Sequence, residues 1–219
     1  MTRDEVRAKI EEIGIIPAIR LSSTEDALFA AEAISDAGIP IVEVTMTVPG
    51  AMNVIHELVR VHPTMIVGAG TVLDVLAVQR CLDAGVSFLT STGMDLEVVA
   101  LARKKGMVVF PGVLTPTEVI TAWKAGSDFV KIFPCAQVGG PAYIKALKAP
   151  FPELRLIAAG GVTQSTAADF IRAGAVAIGI GQHLIQPEAI HRRERDWIRE
   201  LGHRFSRIVQ ETREEMRGL

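Results

Sequence analysis

Apolar and polar positions follow two rhythms along this chain. Short runs rich in β-branched residues recur, each followed by a turn and then by a stretch with apolar residues three and four apart. The first rhythm suits buried strands, the second helices packed by one face. Together they predict strands at 15–20, 40–46, 65–68, 86–90, 107–110, 128–132, 154–158 and 176–180. They predict helices at 24–37, 50–61, 74–84, 95–105, 116–125, 141–148, 164–173 and 195–216, after a short opening helix at 3–13. The punctuation agrees. Ala37-Gly38, Ala84-Gly85, Lys105-Gly106, Ala125-Gly126 and Ala173-Gly174 close helices, and glycine there suits a left-handed C-cap. Ser23 or Thr24, Asp74, Asp95 and Thr163 suit N-caps, and Thr115-Pro-Thr-Glu118 has the capping-box spacing.

A strand–helix unit recurring every roughly 20–25 residues implies parallel strands joined by helical crossovers. Eight such units favour a closed (β/α)8 barrel, or TIM barrel, over an open doubly wound sheet. No Ser/Gly linker and no charge block divides the sequence, so residues 1–219 are expected to form a single α/β domain. Active sites of such barrels lie at the carboxyl ends of the strands. Strand ends are therefore where chemistry is sought.

The run Asp128-Phe-Val-Lys-Ile-Phe-Pro-Cys135 stands out there. Its alternation sets Phe129, Lys131 and Phe133 on one face. Lysine is rarely buried without a partner. It either snorkels to water at the strand end or serves as a desolvated amine, the form that attacks carbonyls. On the second strand the apolar Val42, Val44 and Met46 suit the helix-facing side, which turns Glu43 inward with Ile41 and Thr45. An inward glutamate and lysine in one barrel are a structural ion pair or a catalytic one. A buried pair adds little net stability, which favours function.

Other strand ends carry weaker signals. Arg20 closes the first strand, where a guanidinium can hold a carboxylate or phosphate. Gly68-Ala-Gly-Thr71 follows the third strand; its glycines admit a ligand to the backbone, and Thr71 offers a hydroxyl. Gly160-Gly161 precedes a helix after the seventh strand, and Gly179 and Gly181 flank the end of the eighth. Backbone N–H groups at such a turn suit an anion.

Composition narrows the choices. The chain is 49% hydrophobic and 22% charged, with a net charge of −2. No nucleic-acid footprint is visible; the cluster His191-Arg192-Arg193 with Arg195 is interleaved with Glu194 and Asp196 and reads as a solvated helix start. No apolar run approaches the roughly 18 residues of a membrane helix. Met1 is followed by Thr-Arg-Asp-Glu and not by an apolar stretch, and two cysteines make no disulfide framework, so a cytoplasmic location is expected. None of His56, His62, His183, His191 and His203 pairs with another at a ligand spacing on a strand end. No metal and no cofactor is expected. Cys135 reads as a packing residue.

Six blocks then fall into a familiar order: Val42–Pro49, Val67–Val72, Phe110–Glu118, Val130–Pro134, Gly140–Pro152 and Ala159–Val162. With them the sequence resembles the 2-keto-3-deoxy-6-phosphogluconate (KDPG) aldolases and their relatives that cleave 4-hydroxy-2-oxoglutarate (KHG). The resemblance implies a metal-free class I aldolase of a small anionic keto acid, usually a homotrimer. It implies Lys131 as the Schiff-base lysine and Glu43 as the proton carrier. Carboxylate contacts fall on Thr71 with neighbouring Gly70, a ring contact on Phe133, and phosphate contacts on Gly160 and Gly161. Departures surround the pair. Thr47 stands where many members have arginine, and Arg20 takes over the anion role. Thr92 replaces a common proline, Ala159 a threonine, and Gln182 a serine. These altered positions bear on which substrate is taken. Two other readings remain: a phosphate-binding barrel isomerase or synthase without an imine, and a catalytically silent assembly subunit.

Overall fold

The computed structural model describes residues 1–218. Helix α1 (Arg3–Ile13) precedes the alternation β1 (Ile15–Ile19), α2 (Thr24–Asp36), β2 (Ile41–Thr45), α3 (Ala51–Val61), β3 (Ile66–Gly70), α4 (Val75–Asp83), β4 (Phe88–Thr90) and α5 (Leu96–Lys104). Then come β5 (Val108–Phe110), β6 (Gly112–Val113), α6 (Pro116–Lys124), β7 (Val130–Ile132), a 3-10 turn (Ala136–Val138) and α7 (Pro141–Lys148). β8 (Leu156–Ala159), α8 (Gln164–Arg172), β9 (Ala175–Ile180), α9 (Pro187–His191) and α10 (Arg195–Arg217) complete the chain. All pairings are parallel, in the order β5-β4-β3-β2-β1-β9-β8-β7-β6.

Nine segments make an eight-strand barrel because β5 and β6 are one path bent at Pro111. Its first half pairs with β4 and its second with β7, so this single strand closes the ring. Proline has no N–H to give to a ladder, and Pro111 sits where the strand changes neighbour, its carbonyl accepting from Lys131 N–H at 3.1 Å. At the next residue the chain passes so close to the β4 loop that a Cβ on Gly112 would stand 2.6 Å from the Thr92 carbonyl oxygen. Only glycine permits that closure.

The expected caps form. Ser23, Asp74 and Asp95 side chains accept from helix N–H groups, and Thr115 with Glu118 and Thr163 with Thr166 make capping boxes. Gly38, Gly85, Gly106, Gly126 and Gly174 have φ between 71° and 103°, the left-handed region that glycine enters without penalty.

Inside the barrel, Phe88 stacks on Phe110 at 5.3 Å and Phe110 meets Phe129 edge-on at 5.8 Å. Gly68 makes room for the Phe88 ring, whose atoms would overlap any Cβ there. This aromatic layer fills the interior below Lys131. Beneath it, α1 packs against β1, β5 and β9 and closes the floor. Arg3 of α1 reaches the fully buried Asp128 carboxylate at 2.6 Å.

One expectation needs correction. The short helix α9 was not predicted; Pro187 begins it, and its five residues are too few for a helical rhythm to register. The arginines after it lie exposed or half-buried at the start of α10, as expected, and they also make pairs. Arg193 bonds Glu25 and Asp26, Arg195 bonds Glu32 and Asp36, and both guanidiniums lie over the Phe29 ring at 4.9 and 5.1 Å. They fasten the chain entering α10 to α2, and α10 runs between α2 and α8. No helix among the described residues is long and apolar enough to cross a membrane.

Candidate active site

Register places the site. Ala18, Glu43, Gly68 and Phe88 lie side by side across β1 to β4, and Gly112, Lys131 and Ile157 across β6 to β8. With inward parity on each strand, Glu43 and Lys131 meet from different sectors of the barrel. Lys131 Nζ lies 3.5 Å from Glu43 Oε2. Both residues are buried, at 6% and 4% exposure. The separation exceeds the roughly 2.7–2.9 Å of a closed charge-assisted hydrogen bond, so the pair is poised without being locked.

A third group, not predicted, completes the contact. Thr90 Oγ1, at the end of β4, accepts from Lys131 Nζ at 3.2 Å. Thr90 is fully buried. The Phe133 ring flanks the amine, its centroid 5.6 Å from Nζ. The amine therefore faces one carboxylate, one hydroxyl and an aromatic wall.

Above it opens a cavity of about 720 Å³, within the roughly 300–1,000 Å³ range of small-molecule sites. Lys131, Glu43 and Phe133 line its depth. Arg20, expected from its place at a strand end, stands in its walls with Thr92 and Gln182, which the resemblance singled out, and Gln137 and His183 join them from the loops after β7 and β9. Arg20 lies just beyond β1 and is exposed, so its charge faces the opening.

Gly160 and Gly161 also line the cavity, with φ of 86° and 84°. Two successive left-handed residues turn the chain sharply before Thr163 caps α8. The turn is pinned from behind: Cys135 and Ala136 N–H groups donate to Ala159 and Gly160 carbonyls at 2.8 and 3.0 Å. A Cβ at Gly160 would stand 2.9 Å from Pro134 Cα. The glycines are thus required by close packing, and the α8 N-terminus above them suits an anion.

Three expected ligand residues lie outside the cavity wall. Gly70 stands beneath Glu43, where a Cβ would overlap the carboxylate. Thr71 has φ 59°, and its Oγ1 is buried without a hydrogen-bond partner among the described residues. Thr47 bonds the Thr45 hydroxyl at 2.8 Å. Cys135 is fully buried, and burial pushes its thiol up to about 12, which fits packing and not nucleophilic use. No group of three or more His, Cys, Asp or Glu with metal-binding geometry occurs among the described residues.

Comparison with known proteins points the same way. The family model described as "Aldolase: KDPG and KHG aldolase" matches residues 6–201. A probable 2-dehydro-3-deoxy-6-phosphogalactonate aldolase of Rhizobium meliloti strain 1021 is 35% identical, over 79% of this chain and 82% of its own. A 2-dehydro-3-deoxy-phosphogluconate aldolase of Pseudomonas aeruginosa PAO1 is 32% identical, over 85% and 84%. Among solved structures, native KDPGal aligns with TM-score 0.84 at 32% identity, covering 91% of this chain and 96% of that one. The KDPG aldolase of Legionella pneumophila, solved with pyruvate captured as a covalent carbinolamine, aligns with TM-score 0.85 at 29% identity, covering 90% and 96%. By the span of the family match and the identity of these relatives, the chain belongs to the KDPG and KHG aldolase family.

Proposed function

We propose that this protein is a class I aldolase that splits a 2-keto-4-hydroxy acid into pyruvate and an aldehyde through an imine on Lys131. The approach of Lys131 Nζ to Glu43 Oε2 at 3.5 Å, within a cavity open to a small molecule, carries the reading. The amine adds to C2 of the keto acid, and loss of water leaves a protonated imine. Glu43 takes the proton of the C4 hydroxyl. The C3–C4 bond breaks, its electron pair passes into the imine as an enamine, and the aldehyde leaves. A proton returned to C3 and hydrolysis of the imine release pyruvate and restore the amine. Thr90 holds the amine toward C2, and the apolar walls limit water around the intermediate. The imine itself accepts the electrons, so no metal ion is required.

Arg20, Gln182 and the turn at Gly160 and Gly161 would hold the far anionic end of the substrate. Phe133 would pack on the carbon chain and Thr92 would border it. Gly70 and Thr71 are assigned to the keto-acid carboxylate by the family resemblance alone, since both lie outside the cavity wall and the Thr71 hydroxyl is buried, and Thr47 bonds Thr45 at the end of β2. The first substrate to test is 2-dehydro-3-deoxy-6-phosphogluconate, yielding pyruvate and glyceraldehyde 3-phosphate. Relatives named for the gluconate and galactonate series, which differ at C4, make both epimers necessary in the trial. 4-Hydroxy-2-oxoglutarate, giving pyruvate and glyoxylate, is the third. Pyruvate release in the presence of EDTA decides. Release from any of the three supports the reading, and silence with all three removes it in favour of a barrel that forms no imine.

We further take residues 1–219 as one cytoplasmic barrel domain that assembles as a homotrimer without nucleic acid or membrane. Leu73, Val75, Leu76 and Leu96 expose apolar side chains at the starts of α4 and α5, two helices that pack together beside the catalytic face. A second and third copy would cover them.

A further inference from the structure

We propose that the barrel floor carries a second anion site, built for inorganic phosphate or a small phosphate monoester and remote from the catalytic cavity. A cavity of about 250 Å³ opens there between α1, the end of α5 and the turn leading into β7. Arg3, Arg7, Arg103 and Arg155 line it, with Trp123 and Ser127. The acid in the wall, Asp128, is paired with Arg3 at 2.6 Å, and its Oδ2 accepts from the Val109 N–H at 3.0 Å, while its buried Oδ1 accepts no hydrogen bond among the described residues. Arg7 meets Asp4 at 3.1 Å and Arg155 meets Glu11 at 2.9 Å, in half-buried to exposed pairs. Partly solvated pairs of this kind contribute little.

Two observations mark a ligand site rather than a merely basic surface. Arg103 makes no salt bridge and no side-chain hydrogen bond among the described residues. Its guanidinium lies against Gly126, where a Cβ would stand 3.0 Å from Nε and 3.2 Å from Cζ. The absence of a side chain at 126 lets the guanidinium occupy the cavity wall. Next to it, Ser127 is 5% exposed, and its Oγ is buried without a hydrogen-bond partner among the described residues. Buried hydroxyls are seldom left unpaired. One tetrahedral oxyanion would accept from this hydroxyl and from the Arg103 fork together, the geometry guanidinium offers to phosphate. The cavity falls below the roughly 300–1,000 Å³ of sites for larger organic ligands, which selects a small anion. Ser127 and Asp128 lead straight into β7, so the bound anion would brace the strand that carries Lys131 from the end opposite the substrate.

Trp123 supplies the readout. In a W197F variant it is the sole tryptophan, and its emission is followed during titration with inorganic phosphate, sodium chloride holding the ionic strength constant. A saturable change is expected, with Kd raised at least tenfold by R103A while aldol turnover stays as in the parent. Calorimetric titration of the unmodified chain and of R103A gives the same comparison without the tryptophan substitution. Phosphate bound only in the catalytic cavity would give equal affinity in R103A. That result, or no saturation in either experiment, overturns the proposal. Within a positive outcome, glycerol phosphate binding tighter than inorganic phosphate identifies an organic monoester as the ligand, and the reverse identifies the free ion.

Discussion

Gly70 occupies the one place on β3 where any side chain would overlap the Glu43 carboxylate. The two residues sit on neighbouring strands, and the missing Cβ lets the carboxylate lie over β3 on its way to Lys131. Gly70→Ala should therefore push Glu43 away from the amine while leaving the barrel intact. Displacement of a catalytic group by about 1 Å can cost about 10²-fold in rate. We expect kcat to fall by about that factor with circular dichroism unchanged. Undiminished turnover in G70A would show that the carboxylate position does not matter.

Glu43→Gln keeps the shape and removes the base. General-base catalysis of this kind contributes about 10²–10⁴-fold, and kcat should fall within that span. KM should change little, because the role proposed for the carboxylate is at the C4 hydroxyl and not at the anionic ends of the substrate.

Thr90 is argued to position the amine and not to react. In Thr90→Val the hydroxyl that accepts from Nζ is lost and the volume is kept. Imine formation, followed as single-turnover trapping of pyruvate, should slow about fivefold, in line with about 1 kcal/mol for one buried hydrogen bond. Thr90→Ser should restore most of the rate, which a purely packing role would not predict.

Much of this site was legible before any coordinates. Period-two alternation turned Glu43 and Lys131 inward, and eight repeated units made the interior a common one. Thr90 shared that logic, since Val86, Phe88 and Thr90 have one parity. Its hydroxyl gained meaning only from an amine 41 residues further on, a pairing no local pattern encodes. Pro111 ended the predicted fifth strand at residue 110, because proline usually stops a ladder. In the fold it marks a change of neighbour and the strand continues to Val113. The pairing of Arg193 and Arg195 was not legible, because their acidic partners lie about one barrel circuit earlier, on α2.

Stability should respond to the floor. Arg3 is the cation facing a fully buried Asp128 carboxylate. Removing one partner of a buried pair costs about 3–5 kcal/mol, and the partial exposure of Arg3 argues for the lower end. Arg3→Ala should unfold in urea with stability reduced by about 3 kcal/mol. A loss below about 1 kcal/mol, the scale of a surface pair, would mean that solvent already satisfies the carboxylate.

Alkaline pH should weaken the fold through its thiols. Burial pushes Cys81 up to about 11 and Cys135 up to about 12, from 9.0. Below pH 9 both states keep these protons and nothing changes. Between pH 9 and 11 the unfolded chain releases them while the folded chain retains them. Stability must then fall as pH rises, by about 1.4 kcal/mol per pH unit for each thiol. The double variant C81A/C135A should lose this part of the slope in urea titrations across that range.

If Leu76 lies between subunits, Leu76→Asp should shift the mass seen by light scattering from three chains to one. An unchanged mass would place the interface elsewhere.

The most direct measurement is reduction with borohydride in the presence of pyruvate, followed by mass mapping of the modified peptide. A stable adduct on Lys131, absent from Lys131→Met, is the expected result, together with loss of turnover by several orders of magnitude in that variant. An adduct on another lysine, or near-normal aldol cleavage by K131M, would contradict the imine at this strand end.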